Sequence, residues 1–209
     1  MAGTTSRGYR YPSNADTPNI ATDIQNLASD INTDVNTKMG LFLLNTTTFT
    51  STCTIDGVFT SSFRNYKIIL TAQIGASVSS GATMALRASG TTTSATNYNY
   101  AGMYVSSSST FVGNASSNQT SWKMPWSYGG TGSSGIYGSV GNLTIDVFQP
   151  QLALQTCFNA QGEMPNTAGI SGFAQYSGNH LLTSAYDGFT IVIAGSAVTN
   201  GIAKVYGYN

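Results

Sequence analysis

Hydrophobic residues change their spacing at Gly40, and that change limits the fold more than any other feature of the chain. Before it, Ile20, Ile24, Leu27, Ile31, Val35 and Met39 recur every third or fourth residue, the interval of one helix face. After it the period is two. Tyr66, Ile68, Leu70, Ala72 and Ile74 share one face, while Lys67, Thr71 and Gln73 share the other. Met84, Leu86 and Ala88 alternate around Arg87, and Leu143, Ile145 and Val147 around Thr144 and Asp146. Such alternation marks strands buried on one side, so the sequence predicts a short helix followed by an antiparallel β domain.

Turn chemistry supports many short strands. Asp56-Gly57, Asn200-Gly201 and the glycine-rich residues 129–141 supply positions where positive φ is cheap. Residues 189–194 and 202–208 read as a closing hairpin around a loop at 195–201. No repeat of fixed period occurs, which argues against a β-helix or propeller. The expectation is a mainly β fold over residues 41–209, an antiparallel β-sandwich or jelly roll. Its core should include Ile68, Leu70, Leu86, Ile145, Val147 and Ile191.

Thr17-Pro18 fits a helix cap followed by proline at the first helical position, and Gly40 fits a left-handed stop. The helical segment is therefore 17–40, with Asp23, Asp30 and Asp34 on its polar side. So narrow an apolar seam, among many Asn, Asp and Thr residues, cannot hold a helix in water by propensity alone. It needs a partner. Isoleucine-rich core positions favour trimers or higher states over dimers, which makes Ile20, Ile24, Leu27, Ile31, Val35 and Met39 the expected seam of a homotrimer. The alternative is a helix packed on its own sandwich. Residues 1–16 read as an extended anchoring arm, in which Arg7, Tyr9, Arg10 and Tyr11 alternate cations with aromatics.

Composition narrows the function classes. Only 8% of residues are charged, and eight acids balance eight bases. Ordinary soluble domains carry roughly a quarter charged residues, so this surface must rest on hydroxyls, amides and glycine. Without a basic excess or a Lys/Arg run, neither nucleic-acid binding nor anionic-membrane adhesion is expected. No apolar run is long enough for a membrane anchor, and no leader with an apolar stretch opens the chain; synthesis in the cytoplasm is expected. Cys53 and Cys157 match no metal spacing and read as two small buried side chains, with a disulfide as the other reading.

Catalytic chemistry has little to stand on. A glycosidase needs two converging carboxylates. Those in the β part are Asp56 and Asp187, each beside a glycine, Asp146 on the polar side of a strand, and Glu163; all read as solvated acids. His180 is the single histidine and reads as a loop or surface side chain. No nucleophile elbow, phosphate loop or zinc spacing is present, so no enzyme activity, metal or cofactor is expected. Binding is better served. Residues 122–128 hold both tryptophans, Trp122 and Trp126, with Tyr128, and run into the glycine-rich stretch. Tyr98, Tyr100 and Tyr104 form a second cluster. Trp and Tyr give large contact area with little entropy to lose, so these residues are candidates for contact with a binding partner, or else for the core.

The opening Thr5-Ser6-Arg7-Gly8-Tyr9-Arg10-Tyr11-Pro12, followed by Asp16-Thr17-Pro18-Asn19-Ile20 and an Asp/Asn-rich helix, resembles the openings of virion proteins of tailed bacteriophages, cyanobacterial phages among them. Phe59-Thr-Ser-Ser-Phe-Arg-Asn-Tyr-Lys-Ile, Arg87-Ala-Ser-Gly-Thr and Lys204-Val-Tyr-Gly-Tyr carry the same resemblance through the β part. It implies a structural component of the virion, held to other tail or capsid proteins by the arm. It leaves tail fibre, tail adaptor and capsid decoration protein open, with a virion-associated polysaccharide hydrolase as the third reading, and allows contact with a host glycan or protein.

Overall fold

The computed structural model describes residues 3–4, 10–11, 19–38, 40–74, 81–105, 110–125, 140–165, 171–193 and 198–209. The chain divides into two compact units, Met1–Phe42 with Asn209, and Leu43–Tyr208.

In the first unit, β1 (Gly3–Thr4) pairs antiparallel with β2 (Arg10–Tyr11), and α1 spans Ile20–Lys38. The cap is Asn19, two residues later than expected. Its Oδ1 accepts the Thr22 N–H at 3.2 Å and its carbonyl accepts the Asp23 N–H at 2.9 Å, so donors left open at a helix start are satisfied. Thr17, Pro18 and Met39 lie outside the described residues. Gly40, at φ +70°, takes the left-handed conformation predicted for it. Asp34, expected on the polar side, is the buried one among the described side chains of α1, while the Ile and Leu seam is exposed in the single chain. Asp34 is engaged in a polar interaction rather than solvated.

The β elements that follow are β3 (Phe42–Phe49), β4 (Thr52–Ile55), β5 (Asn65–Ile74), β6 (Ala82–Ala88), β7 (Thr91–Thr92), β8 (Tyr98–Val105) and β9 (Phe111–Gln119). They continue with β10 (Trp122–Met124), β11 (Val140–Phe148), β12 (Thr156–Pro165), β13 (Ser171–His180), β14 (Gly188–Ile193) and β15 (Val198–Tyr208). Among the described residues these form two antiparallel sheets. A wide sheet runs β3-β15-β5-β11-β12-β13-β8-β9, and a narrow one β10-β6-β14-β4, with β7 paired to the end of β6. Between β4 and β14 the chain passes repeatedly from one sheet to the other. If the meander β11-β12-β13 is counted as one strand, β4 to β14 give two four-stranded sheets in the order by which a jelly roll is wound.

The alternation seen in the sequence sets the core. Tyr66, Ile68 and Leu70 of β5, Leu143, Ile145 and Val147 of β11, and Phe158 of β12 turn inward from the wide sheet. Met84 and Leu86 of β6, Phe189 and Ile191 of β14, and Trp122 of β10 meet them from the narrow one. All six core residues expected from the sequence are fully buried. Burying each such side chain is worth about 1.5–3 kcal/mol, which is why a one-residue register slip is not tolerated. Among the described residues, hydrogen bonds also tie the sheets directly: the Leu86 N–H of β6 donates to the Tyr98 hydroxyl of β8 at 2.9 Å, and the Trp122 Nε1–H of β10 to the Asn179 carbonyl of β13 at 3.0 Å.

Three local expectations are corrected. β14 and β15 are not a hairpin, since β14 lies between β4 and β6 and β15 between β3 and β5. With β14 buried along nearly all its length, an inner position in the narrow sheet covers it better than an edge would. Asn200-Gly201 is not a turn but a bulge inside β15, where the register shifts between Thr199 and Ile202 and Asn200 has φ +54°. Cys157 is exposed, because it alternates with the inward Phe158; Cys53 is buried, and both thiols are free. Burial pushes the Cys53 thiol up to about 11.

Candidate functional site

Two of the aromatic residues proposed for contact belong to the core. Trp122 is 0% exposed; its indole lies 4.6 Å from the Phe158 ring and 5.2 Å from the Tyr98 ring, centroid to centroid. Its Nε1–H donates to the Asn179 carbonyl at 3.0 Å. Tyr98 is equally enclosed, accepting from Leu86 and donating to the Thr93 carbonyl at 3.2 Å. The cause is parity: Trp122 and Met124 face inward across β10, and Tyr98 stands opposite the buried His180. Neither can touch a host surface. Trp126 and Tyr128 lie outside the described residues, as do Arg7 and Tyr9 of the arm; Arg10 and Tyr11 are placed only as backbone of β2.

Tyr100 has a different setting. The wide sheet projects beyond β10 at its β8–β9 end, so inward-facing residues there are only half covered: Tyr100, Gly102 and Tyr104 on β8, and Val112, Asn114 and Ser116 on β9. Between this overhang and the β10 edge lies a cavity of about 320 Å³, lined by Tyr100, Gln119, Ser121, Thr83 and Lys123 with the backbone at Gly81 and Ala82. The Lys123 ammonium sits 5.9 Å from the centre of the Tyr176 ring, within cation–π range. Tyr176 in turn makes an edge contact with Tyr100 at 6.0 Å. Gly102 makes this possible, since a Cβ there would stand 2.6 Å from Tyr176 Cδ1.

The electrostatics of the cleft follow from its partial burial. Desolvation lowers the Lys123 pKa below its ordinary 10.5 and pushes Tyr176 up to about 12. Among the described residues no carboxylate pairs with Lys123, whereas Lys67 meets Asp146 at 2.7 Å and Arg87 meets Asp56 at 2.6 Å. The sequence held one signal for this lysine: it is the single cation between Arg87 and Lys204. Tyr176 carried no signal, because its relation to Tyr100 depends on two strands pairing across seventy-odd residues of sequence.

The carboxylates read as solvated acids are partly engaged. Asp56 grips Arg87 Nε and Nη2 at 2.6 and 3.1 Å, and the Arg87 guanidinium holds its carboxyl below the usual range. Asp146 accepts from Lys67 and from the Tyr208 hydroxyl at 3.1 Å, and Asp187 accepts from the Ser89 N–H at 3.0 Å. His180 is neither loop nor surface. It ends β13 fully buried, with Nδ1 3.1 Å from the Tyr186 hydroxyl and its ring 4.2 Å from that of Tyr98.

The other candidate is the seam of α1. Ile20 is 72% exposed and Ile24 63%, with Leu27, Ile31 and Val35 exposed behind them on the same face. A helix of soluble protein normally buries such a stripe. No helix among the described residues is long and apolar enough to cross a membrane. No protein-family model matches this chain, and none of the curated proteins has a matching sequence.

Proposed function

We propose that this chain is a structural subunit of a tailed-phage particle that assembles as a homotrimer through α1 and presents its β-sandwich to the surroundings, where it contacts the host surface. The exposed seam of α1 carries the reading. Five large aliphatic side chains in helical register stand open to water in a single chain, at 39–72% exposure, so each leaves unmet a part of the roughly 1.5–3 kcal/mol that full burial gives. Copies of the same helix cover them with matching spacing, and isoleucine-rich seams favour three strands. The resemblance of the opening and of the strand segments to phage virion proteins supports the particle setting. A sandwich whose surface relies on hydroxyls and amides rather than ion pairs suits exposure to variable salt, because there is little charge to screen.

The tests are a mass and a position. Light scattering of the full chain should give three protomers, and a monomer at all concentrations defeats the assembly claim. Antibody-labelled particles viewed by electron microscopy should carry the label on the tail. A label on the head replaces the appendage reading with that of a capsid decoration protein, and no label on the particle ends the virion proposal.

A further inference from the structure

We infer that the cleft between the β8–β9 overhang and the β10 edge binds an acidic sugar unit, with Lys123 meeting its carboxylate and the Tyr100 ring lining the pocket beside it. The inference rests on the host-contact part of the proposed function and supplies its ligand class. Four observations converge. Lys123 is half covered by protein with no carboxylate facing it among the described residues, and a partly desolvated ammonium is stabilised by an incoming anion. The remaining lining is neutral and rich in hydrogen-bonding groups, from the Gln119 amide and the Ser121 and Thr83 hydroxyls, which match the hydroxyls of a sugar. An aromatic wall is present. The volume, about 320 Å³, is at the small end for ligand pockets and suits a compact ring rather than a peptide helix.

Charge count selects the kind of acid. Phosphate chains and nucleic acids are gripped by several cations or by the planar fork of arginine. This cleft offers one lysine in a surface that is otherwise nearly neutral, so it discriminates a single carboxylate on a polar ring from the same ring without it. An acidic surface polysaccharide provides such units in repeated array, and a trimer would engage three at once, raising avidity without new contacts.

The test compares methyl β-D-glucuronoside with methyl β-D-glucopyranoside, which differ in a carboxylate at C6, using NMR titration of the full chain. Wild type should bind the acidic glycoside with an affinity on the order of 1 mM and the neutral one about tenfold more weakly or less. Lys123→Gln should erase that difference and Lys123→Arg should keep it, while Tyr100→Ala should weaken both glycosides. Equal binding of the two by wild type, no saturable binding of the acidic one, or a preference that survives Lys123→Gln overturns the proposal. Trimer mass and particle labelling are read independently, so failure of the sugar site is distinguishable from failure of the proposed function.

Discussion

The Nδ1 atom of His180 lies 3.1 Å from the Tyr186 hydroxyl, inside a sandwich where the imidazole has no exposed surface. Burial disfavours the imidazolium and lowers the pKa from 6.5. Between that lowered value and 6.5 the unfolded chain binds more protons than the native one, so stability falls as pH drops through this window. The slope from one group is bounded by about 1.4 kcal/mol per pH unit. Urea unfolding at pH 7.5 and at pH 5.5 should show a lower midpoint at the acid end, and His180→Gln should flatten the difference. Asp56, held low by Arg87, loses its contribution only as pH falls below about 3.8, so the two effects separate.

Trp122→Ala should cost about 3–5 kcal/mol, because it removes the ring packed between Phe158 and Tyr98 and leaves the Asn179 carbonyl without its donor. Trp122→Phe restores most of the packing but not the hydrogen bond, so its loss should be smaller, about 1–3 kcal/mol. Equilibrium denaturation reads both. An alanine variant as stable as wild type would remove Trp122 from the core.

Ile24→Asp with Ile31→Asp should reduce the solution mass from three protomers to one, since a carboxylate repeated across a closed seam is left buried and unpaired. The β domain should keep its melting temperature. A fall in that temperature without a change in mass would mean that the seam serves the domain of its own chain.

Binding of the acidic glycoside should weaken as pH rises, beginning below the 10.5 of an ordinary lysine, because the low pKa of Lys123 releases its proton early. Tyr100, Tyr104 and Tyr176 surround this corner of the sandwich, and Tyr176, pushed up to about 12, remains neutral through that range. Affinity that stays constant until well above 10.5 would separate Lys123 from recognition.

Gly102→Ala should push against both the Gln175 carbonyl of the paired strand β13 and the Tyr176 ring, so that strand and ring must shift together at a cost of about 1–3 kcal/mol or more by overpacking. Because Tyr176 carries the Lys123 ammonium on its face, the same change should weaken glycoside binding. Loss of stability with unchanged binding would separate the ring from the site.

The β core was legible because alternation is a local signal: Ile68 and Leu70 declare their face within a few residues. Partners between sheets were not. Residues 189–208 look like a hairpin in one dimension, yet β14 and β15 find different neighbours contributed from more than a hundred residues away. Aromatic density was equally blind, since Trp122 and Tyr98 are buried while Tyr100, two residues from Tyr98, lines a cleft. That distinction follows from where the narrow sheet stops. The seam of α1 was visible as spacing, but Asp34 shows that spacing alone does not fix which side is covered.

Three strands, β11 to β13, stand where a single strand would complete the winding. Since three is odd, the chain leaves the meander travelling in the direction it entered, and β14 is reached without any change to the path of the other strands. Hairpins can therefore be gained or lost here two strands at a time. Each such step moves β8 and β9 sideways by about 10 Å relative to β10, two strand spacings, and so resets the breadth of the ledge, with Trp122 and Leu86 then needing new partners in place of Phe158 and Tyr98. In a family of such proteins, ligand size would vary by strand pairs rather than by loop length.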